Sequence, residues 1–349
     1  MKLLVSSLEA SANLHFEQIL PHLGEVELKG IFGERFSEFG VPLYESGEFS
    51  AMGFVEVLPL ILKAKRAIKQ MCEVAKECDA VLLIDSPAFN LPLAKALKKA
   101  GVTTPVTYYI LPQVWAWRAS RAKVVDEVCD NAVCIFPFET KFFKKAQFLG
   151  HPLLDEISAK FGSNSVLTGE QTRRQVAFLP GSRKGEISRL MPVFRELLPK
   201  FKEFKCTLVI PPHLRGSEVY GDVSGFELSY NTHETLSKSH FAFVCSGTAT
   251  LEAALIGTPF VLCYKANAID IFLARKLVKL KHAGLANIIF DFLGNKPLHE
   301  ELIGGEVSAQ RLFEAYEKCD FKAFAKSREV LREYLVGGSA KNVAKILKG

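Results

Sequence analysis

The chain has 349 residues, of which 48% are hydrophobic and 23% charged, and a net charge of +6. This excludes a disordered chain, and the length exceeds what one hydrophobic core usually serves, so two domains are expected. The modest positive balance allows an anionic partner but lacks the excess of a nucleic-acid binder, so no nucleic acid is expected.

The N-terminal MKLLVSSLEASANLH is too poor in apolar residues for a signal peptide, and Glu9 interrupts it. No run approaches the roughly 20 apolar residues of a membrane span. The eight cysteines include no CxxC pair, and several sit in apolar runs such as FAFVCSG. They read as buried thiols in a reducing compartment, so a cytoplasmic protein is expected.

Short β-rich runs alternate with helical patterns. Lys2–Ser6 precedes a helical stretch near Leu14–Leu20, and Ala80–Ile84 precedes Leu91–Ala100 with Gly101 as a stop. Val106–Ile110 and Ala132–Ile135 continue the series. After a polar interval near residues 158–174 a second series begins: Val176–Leu179, Thr207–Ile210, His240–Cys245 and Pro259–Tyr264. Strands alternating with helices imply parallel α/β sheets. The expected organisation is one Rossmann-like domain over residues 1–160 and another over 170–320. A helical, charged segment at 321–349 is free to pack back on the first.

In open α/β sheets, ligands bind beyond the carboxyl ends of the strands. Four stretches fall there. CSGTATLEAALIGTP places Ser246, Gly247 and Thr248 at the start of a helix, where free N–H groups and the helix dipole favour a phosphate. Glu252 lies one helical turn after Thr248 and could accept bonds from a ribose; an ordinary capped helix gives the same pattern. FLPGSRKGE ends a strand in a glycine turn with Ser182 and Arg183, either an anion cradle or a surface turn. LIDSPAFN puts Asp85 at a strand end, as a general base or as a helix cap. VSSLEASANLH offers Glu9, Ser11 and Asn13 at a strand-to-helix turn without G-x-G-x-x-G. Both tryptophans, Trp115 and Trp117, sit with Arg118 and Arg121 in YYILPQVWAWRASR, as a binding surface or as core aromatics beside solvated arginines. No D-x-D, HExxH or cysteine cluster occurs, so no metal and no cofactor are expected.

MGFVEVL (Met52–Leu58), IDSPAFN, LPQVWAWR, FPFE, FLGHP, LPGSR, SGTATLEAALIGTP and LVK–LAN (Leu277–Asn287) together resemble the lipid-A-disaccharide synthase family. The resemblance implies the GT-B glycosyltransferase fold, two Rossmann-like domains whose parallel sheets face a cleft. It implies an inverting transfer from UDP-2,3-diacylglucosamine to 2,3-diacylglucosamine 1-phosphate. Asp85 becomes the base, Arg183 and Ser182 neutralise the leaving diphosphate, and Glu252 holds the ribose near Ser246, Gly247 and Thr248. Asn287 in LAN would touch donor or phosphate. Glu9, Ser11, Trp115, Trp117 and Arg118 are candidates for the same cleft. The sequence departs from the family's GEASGD, reading LEASAN, so that Asn13 replaces an acid and Leu8 would narrow the loop; Ala88 replaces the second acid of IDAPDFN.

An acyl-chain substrate also implies a membrane surface. Val57, Leu60, Ile61, Ala64, Ile68 and Met71 recur at helical spacing, with Lys63, Lys65, Arg66 and Lys69 between and no acid from Val57 to Gln70. Such a helix suits peripheral docking on an anionic inner membrane, or packs on the core with a solvated basic face. A homodimer is left open. The rival functions are a UDP-N-acetylglucosamine 2-epimerase of the same fold and a non-catalytic nucleotide-sugar-binding protein.

Overall fold

The computed structural model describes residues 1–49, 57–161, 174–266 and 280–349. It divides into two compact units, Met1–Glu156 with Leu335–Gly349, and Ile157–Tyr334. Residues 52–56 of the MGFVEVL motif, most of the polar interval at 162–173, and Leu277 with its neighbours lie outside the described residues.

Among the described residues the first unit holds seven strands: β1 (Lys2–Ser7), β2 (Glu27–Phe32), β3 (Tyr44–Glu45), β4 (Ala80–Ile84), β5 (Val106–Tyr109), β6 (Asn131–Cys134) and β7 (Ala146–Phe148). Their order is β3-β2-β1-β4-β5-β6-β7, every pair parallel. The helices between them are α1 (Ala10–Ile19), α2 (Val57–Ala75), α3 (Pro87–Lys99) and α4 (Arg121–Val128). A parallel sheet covered on both faces needs strands that are apolar throughout. β4 accordingly reads AVLLI and is buried at every position. One core lies on each face, around Leu4, Val81, Leu83 and Tyr108 and around Val5, Leu82, Phe16 and Tyr109. After β7, α5 (Pro152–Phe161) begins in the first unit and ends in the second.

The second unit repeats the plan with β8 (Gln175–Leu179), β9 (Lys205–Val209), β10 (Glu227–Ser229), β11 (Phe241–Cys245), β12 (Phe260–Tyr264) and β13 (Glu300–Ile303), ordered β10-β9-β8-β11-β12-β13 and again parallel. Its helices are α6 (Lys184–Leu197), α7 (Thr232–Lys238), α8 (Thr248–Ile256), α9 (Leu285–Phe292), α10 (Ala309–Glu317) and α11 (Phe321–Leu335). Much of the chain's phenylalanine is here: Phe178, Phe194, Phe201, Phe241 and Phe243 are fully buried and pack mostly edge to face, with Phe178 stacked on Phe243.

The C-terminal segment at 321–349 divides between the units. Arg328 of α11 donates to the Leu255 carbonyl at the end of α8. A Cβ on Gly257 would meet the Arg328 side chain at 2.8 Å, and its φ of +95° is left-handed, so this glycine of CSGTATLEAALIGTP is fixed by packing. The chain from Leu335 onward joins the first unit, and there Ala340, Val343, Ala344 and Leu347 of α12 (Ser339–Lys348) enter the core. The Asp155 carboxylate accepts from the backbone N–H of Gly338 and Ala340, holding the chain as it enters α12.

Candidate active site

Each sheet reverses its strand order once, between β1 and β4 in the first unit and between β8 and β11 in the second. Such switch points splay the loops at the carboxyl ends apart and open a crevice. All four stretches singled out by sequence fall at these two points.

In the second unit the loops after β8 and β11 border a cavity of about 390 Å³, lined by Ser182, Arg183, Ser246, Gly247, Thr248 and Glu252 among others. Gly181 has φ +101°, and a Cβ there would strike Glu186 Oε2 at 2.6 Å and Cys245 Sγ at 3.1 Å, so the loop turns only with glycine. Arg183 is the residue before α6, and Gly247, at φ +147°, the residue before α8. Two helix N-termini therefore open on one cavity, with free N–H groups and positive dipole ends suited to a diphosphate. Arg183 is 82% exposed, and its Nη1 donates to Glu186 Oε1 at 2.9 Å. Sequence reading passed over Glu186: one turn after Arg183, it aims the fork along the cavity wall. The Cys245 thiol, pushed up to about 12 chiefly by burial and then by Glu186, stays protonated.

Glu252 is held from behind. Lys160 Nζ donates to His233 Nδ1 at 3.1 Å, which leaves a hydrogen on Nε2, 3.3 Å from Glu252 Oε2. His233, which sequence reading missed, therefore orients the carboxylate expected at a ribose. His233→Ala should raise the KM of a UDP-sugar donor several-fold, with a smaller change in kcat. Steady-state kinetics with varied donor measures the split, and a kcat loss at constant KM would contradict the role.

In the first unit Asp85 follows β4 with φ +49° and Ser86 follows with φ +43°. Two successive non-glycine residues in the left-handed region cost energy and persist only where neighbours fix them. Here Asn90 does so. Its Nδ2 donates to the carbonyls of Ile84 (3.0 Å) and Asp85 (2.8 Å), and its Oδ1 accepts from Ser6 Oγ at 2.6 Å. Tyr108 adds its hydroxyl to the Asp85 carbonyl at 2.8 Å. Ser86 precedes α3 without capping it, and its Oγ donates to Glu9 Oε1 at 3.3 Å instead. Pro87 is the first residue of α3, where its missing N–H costs nothing. Burial raises the Asp85 pKa, the Glu9 charge raises it further, and the Ser86 N–H and His15 oppose. His15 itself pairs with Glu156 at 2.8 Å. Ser11 is exposed in the first turn of α1.

Three other expectations fall differently. Asn287 is 1% exposed and does not line the cavity. Its Oδ1 accepts from the N–H of Leu298 and His299 while its Nδ2 donates to the His299 carbonyl and Glu301 Oε1. All four bonding positions are used, so it pins the turn before β13. Trp115 is also tied inward: its Nε1 donates to Glu139 Oε1 at 2.8 Å, with Phe136 and Phe138 edge-on to the ring. Burial pushes the Glu139 carboxyl up to about 7 against three donors. Ala64, Ile68 and Met71 of α2 pack on the core, and among its described side chains Ile61 and Leu62 are the exposed large apolar ones.

A Lipid-A-disaccharide synthetase family model matches residues 3–336. The chain belongs to the lipid-A-disaccharide synthase family. A lipid-A-disaccharide synthase of Campylobacter jejuni (strain RM1221) is 53% identical over 357 residues, covering 99% of this chain and 98% of that protein. One of Helicobacter pylori (strain HPAG1) is 44% identical, covering 98% and 96%. Among solved structures, an S. aureus MnaA–UDP co-structure matches with TM-score 0.64 at 14% identity, covering 99% of this chain and 96% of that one. The glycotransferase of kitacinnamycin matches with TM-score 0.60 at 13% identity, covering 99% and 97%. At such identities these two speak for the GT-B fold alone.

The synthase family's acid in GEASGD is Asn13 here, and the structure gives the reason it is tolerated. Asn13 is 4% exposed. Its Oδ1 accepts from Ser7 Oγ and the Gly33 N–H, and its Nδ2 donates to Ser46 Oγ. The position is a strut between β1 and the loops after β2 and β3, not a proton acceptor. Leu8, expected to narrow the loop, is buried in the core instead.

Proposed function

We propose that this synthase transfers a diacylglucosaminyl group from UDP-2,3-diacylglucosamine to the 6-hydroxyl of 2,3-diacylglucosamine 1-phosphate, inverting the anomeric carbon. The observation that carries the reading is the matched pair of switch points: one holds a strained, raised-pKa carboxylate, the other a two-helix anion cavity with an oriented acid.

The chemistry divides between them. The second unit holds the donor, with Ser246, Gly247, Thr248 and Ser182 at the diphosphate and Glu252 at the ribose hydroxyls. Asp85 accepts the proton of the acceptor 6-hydroxyl as its oxygen bonds to C1 of the donor sugar. The C1–O bond to the diphosphate breaks, both electrons leave with UDP, and Arg183 and the two helix N-termini stabilise the new charge. The products are the β-1,6-linked disaccharide 1-phosphate and UDP. Following UDP release with both substrates present tests the reading; no UDP, or UDP release that ignores the acceptor, would refute it. Release of the manno epimer of UDP-N-acetylglucosamine would favour the epimerase reading.

We also propose that the enzyme works peripherally on the cytoplasmic face of an anionic inner membrane. No helix among the described residues is long and apolar enough to cross a bilayer. The support is α2, where Ile61 is 45% and Leu62 62% exposed among Lys65, Arg66 and Lys69. Lys63 is partly neutralised by Glu48 at 2.5 Å. Each cation near such a surface contributes about 1 kcal/mol, screened by salt. Changing Lys65, Arg66 and Lys69 to Gln should therefore weaken co-sedimentation with anionic vesicles by roughly 100-fold at low salt. Unchanged binding would leave α2 an ordinary core-packed helix.

A further inference from the structure

The loop after β5 displays an aromatic ring that the transfer chemistry above leaves unused. Trp117 is 55% exposed, a large apolar surface to leave in water. The loop holds it there. Trp115, two residues earlier, is tied to Glu139, the Trp117 N–H donates to the Gln113 carbonyl at 3.1 Å, and Arg118 takes a left-handed φ of +53°. The Arg118 guanidinium lies 4.2 Å from the centre of the Trp117 ring, and that of Arg121 lies 5.8 Å from it. No described residue gives either guanidinium an ion pair or a hydrogen bond, whereas Arg183 and Arg35 have carboxylates and Arg328 has a carbonyl. Two cations gathered at one indole without a counter-charge repel each other, and an anion between them relieves this.

The pair also belongs to the edge that carries the base. β5 is the neighbour of β4, and the Asp85 N–H donates to the Tyr109 carbonyl at 2.9 Å. The Tyr108 hydroxyl, bonded to the Asp85 carbonyl, lies within reach of the Arg121 charge. In the acceptor proposed above, the attacking 6-hydroxyl, on the exocyclic carbon of C5, and the 1-phosphate, on C1, flank the ring oxygen of one pyranose as separate groups. A base for the first therefore calls for an anion receptor beside it, not on it.

We propose that Arg118 and Arg121, spread over Trp117, form the receptor for the phosphate monoester of the acceptor sugar, with the free part of the indole against the pyranose. The assignment rests on the proposed function and adds the specificity element for its acceptor. A phosphate monoester carries up to two negative charges and three acceptor oxygens, which suit two planar forks better than point charges. The donor diphosphate has its own cation in Arg183.

The test compares the intact enzyme with Arg118→Gln, Arg121→Gln and the double variant on two acceptors, 2,3-diacylglucosamine 1-phosphate and the same sugar without its phosphate. Wild type should prefer the phosphorylated acceptor. The double variant should lose roughly 10- to 100-fold in kcat/KM on that acceptor. It should show no comparable loss on the other, and the donor KM should hold. Arg118→Lys should recover part of the loss. Equal losses on both acceptors would overturn the assignment, as would a raised donor KM, which would move the arginines to the diphosphate. Normal kinetics on detergent-dispersed acceptor with weaker vesicle binding would make the pair a bilayer contact instead. Wild type that transfers to neither acceptor would overturn the proposed function, and this assignment with it.

Discussion

Asp85→Asn is expected to lower turnover by roughly two to four orders of magnitude while leaving the fold and UDP binding intact. The strained turn is held through the Asp85 backbone by Asn90 and Tyr108, so the amide changes only the group that receives the proton. Asparagine also tolerates the left-handed φ. Burial and the Glu9 charge raise the carboxyl's pKa above its ordinary 3.8, the direction that makes a carboxylate a stronger base toward an alcohol. The base works only when ionised, so activity should fall as pH drops through the raised pKa. Glu9→Gln removes the second cause of the shift, and the acidic limb should move to lower pH; a move to higher pH would contradict the assignment. The same shift bears on stability. Because the folded pKa lies above the unfolded one, ionised Asp85 works against folding, a cost absent below the unfolded pKa and complete above the folded one. Asp85→Asn should therefore melt no lower than wild type at neutral pH. Near-normal turnover in this variant would remove Asp85 from the chemistry.

Arg183→Ala is expected to cost roughly 100- to 1000-fold in kcat, because the guanidinium meets charge that develops only as the diphosphate leaves. Arg183 is 82% exposed and among the described residues pairs with Glu186 alone, so the melting temperature should change little. Arg183→Lys should restore only part of the rate, since an ammonium lacks the planar fork that Glu186 aims along the cavity wall. Full recovery with Lys would show that charge alone suffices.

The apolar strands were legible because parallel strands buried on both faces are continuous hydrophobic runs. Ala80–Ile84 is β4 residue for residue, and the runs leading to β8, β11 and β12 differ by a residue at an end. The missed strands are polar or short. β2 carries Lys29 and Gly30, and Gly30 is there because a Cβ would meet the Val5 carbonyl at 2.3 Å. β13 opens with two glutamates, while β10 and β3 are edge strands of three and two residues. The strand-end positions of the candidate site were legible wherever a motif ended a strand, as at Asp85, Arg183 and Thr248. Its supports were not, because they come from elsewhere in the chain. His233 and Lys160 reach Glu252 from two other helices, and Tyr108 reaches Asp85 from the next strand. Asn287 and Trp115 carry motif identity through buried hydrogen bonds, which residue type alone does not distinguish from ligand contact.

The most direct measurement is a mass spectrum of the products after the enzyme is mixed with UDP-2,3-diacylglucosamine and 2,3-diacylglucosamine 1-phosphate. The account predicts one new species, the tetraacylated disaccharide 1-phosphate, formed in equal amount with UDP and only when both substrates are present. Unchanged substrates, or UDP released from the donor with no disaccharide, would contradict it.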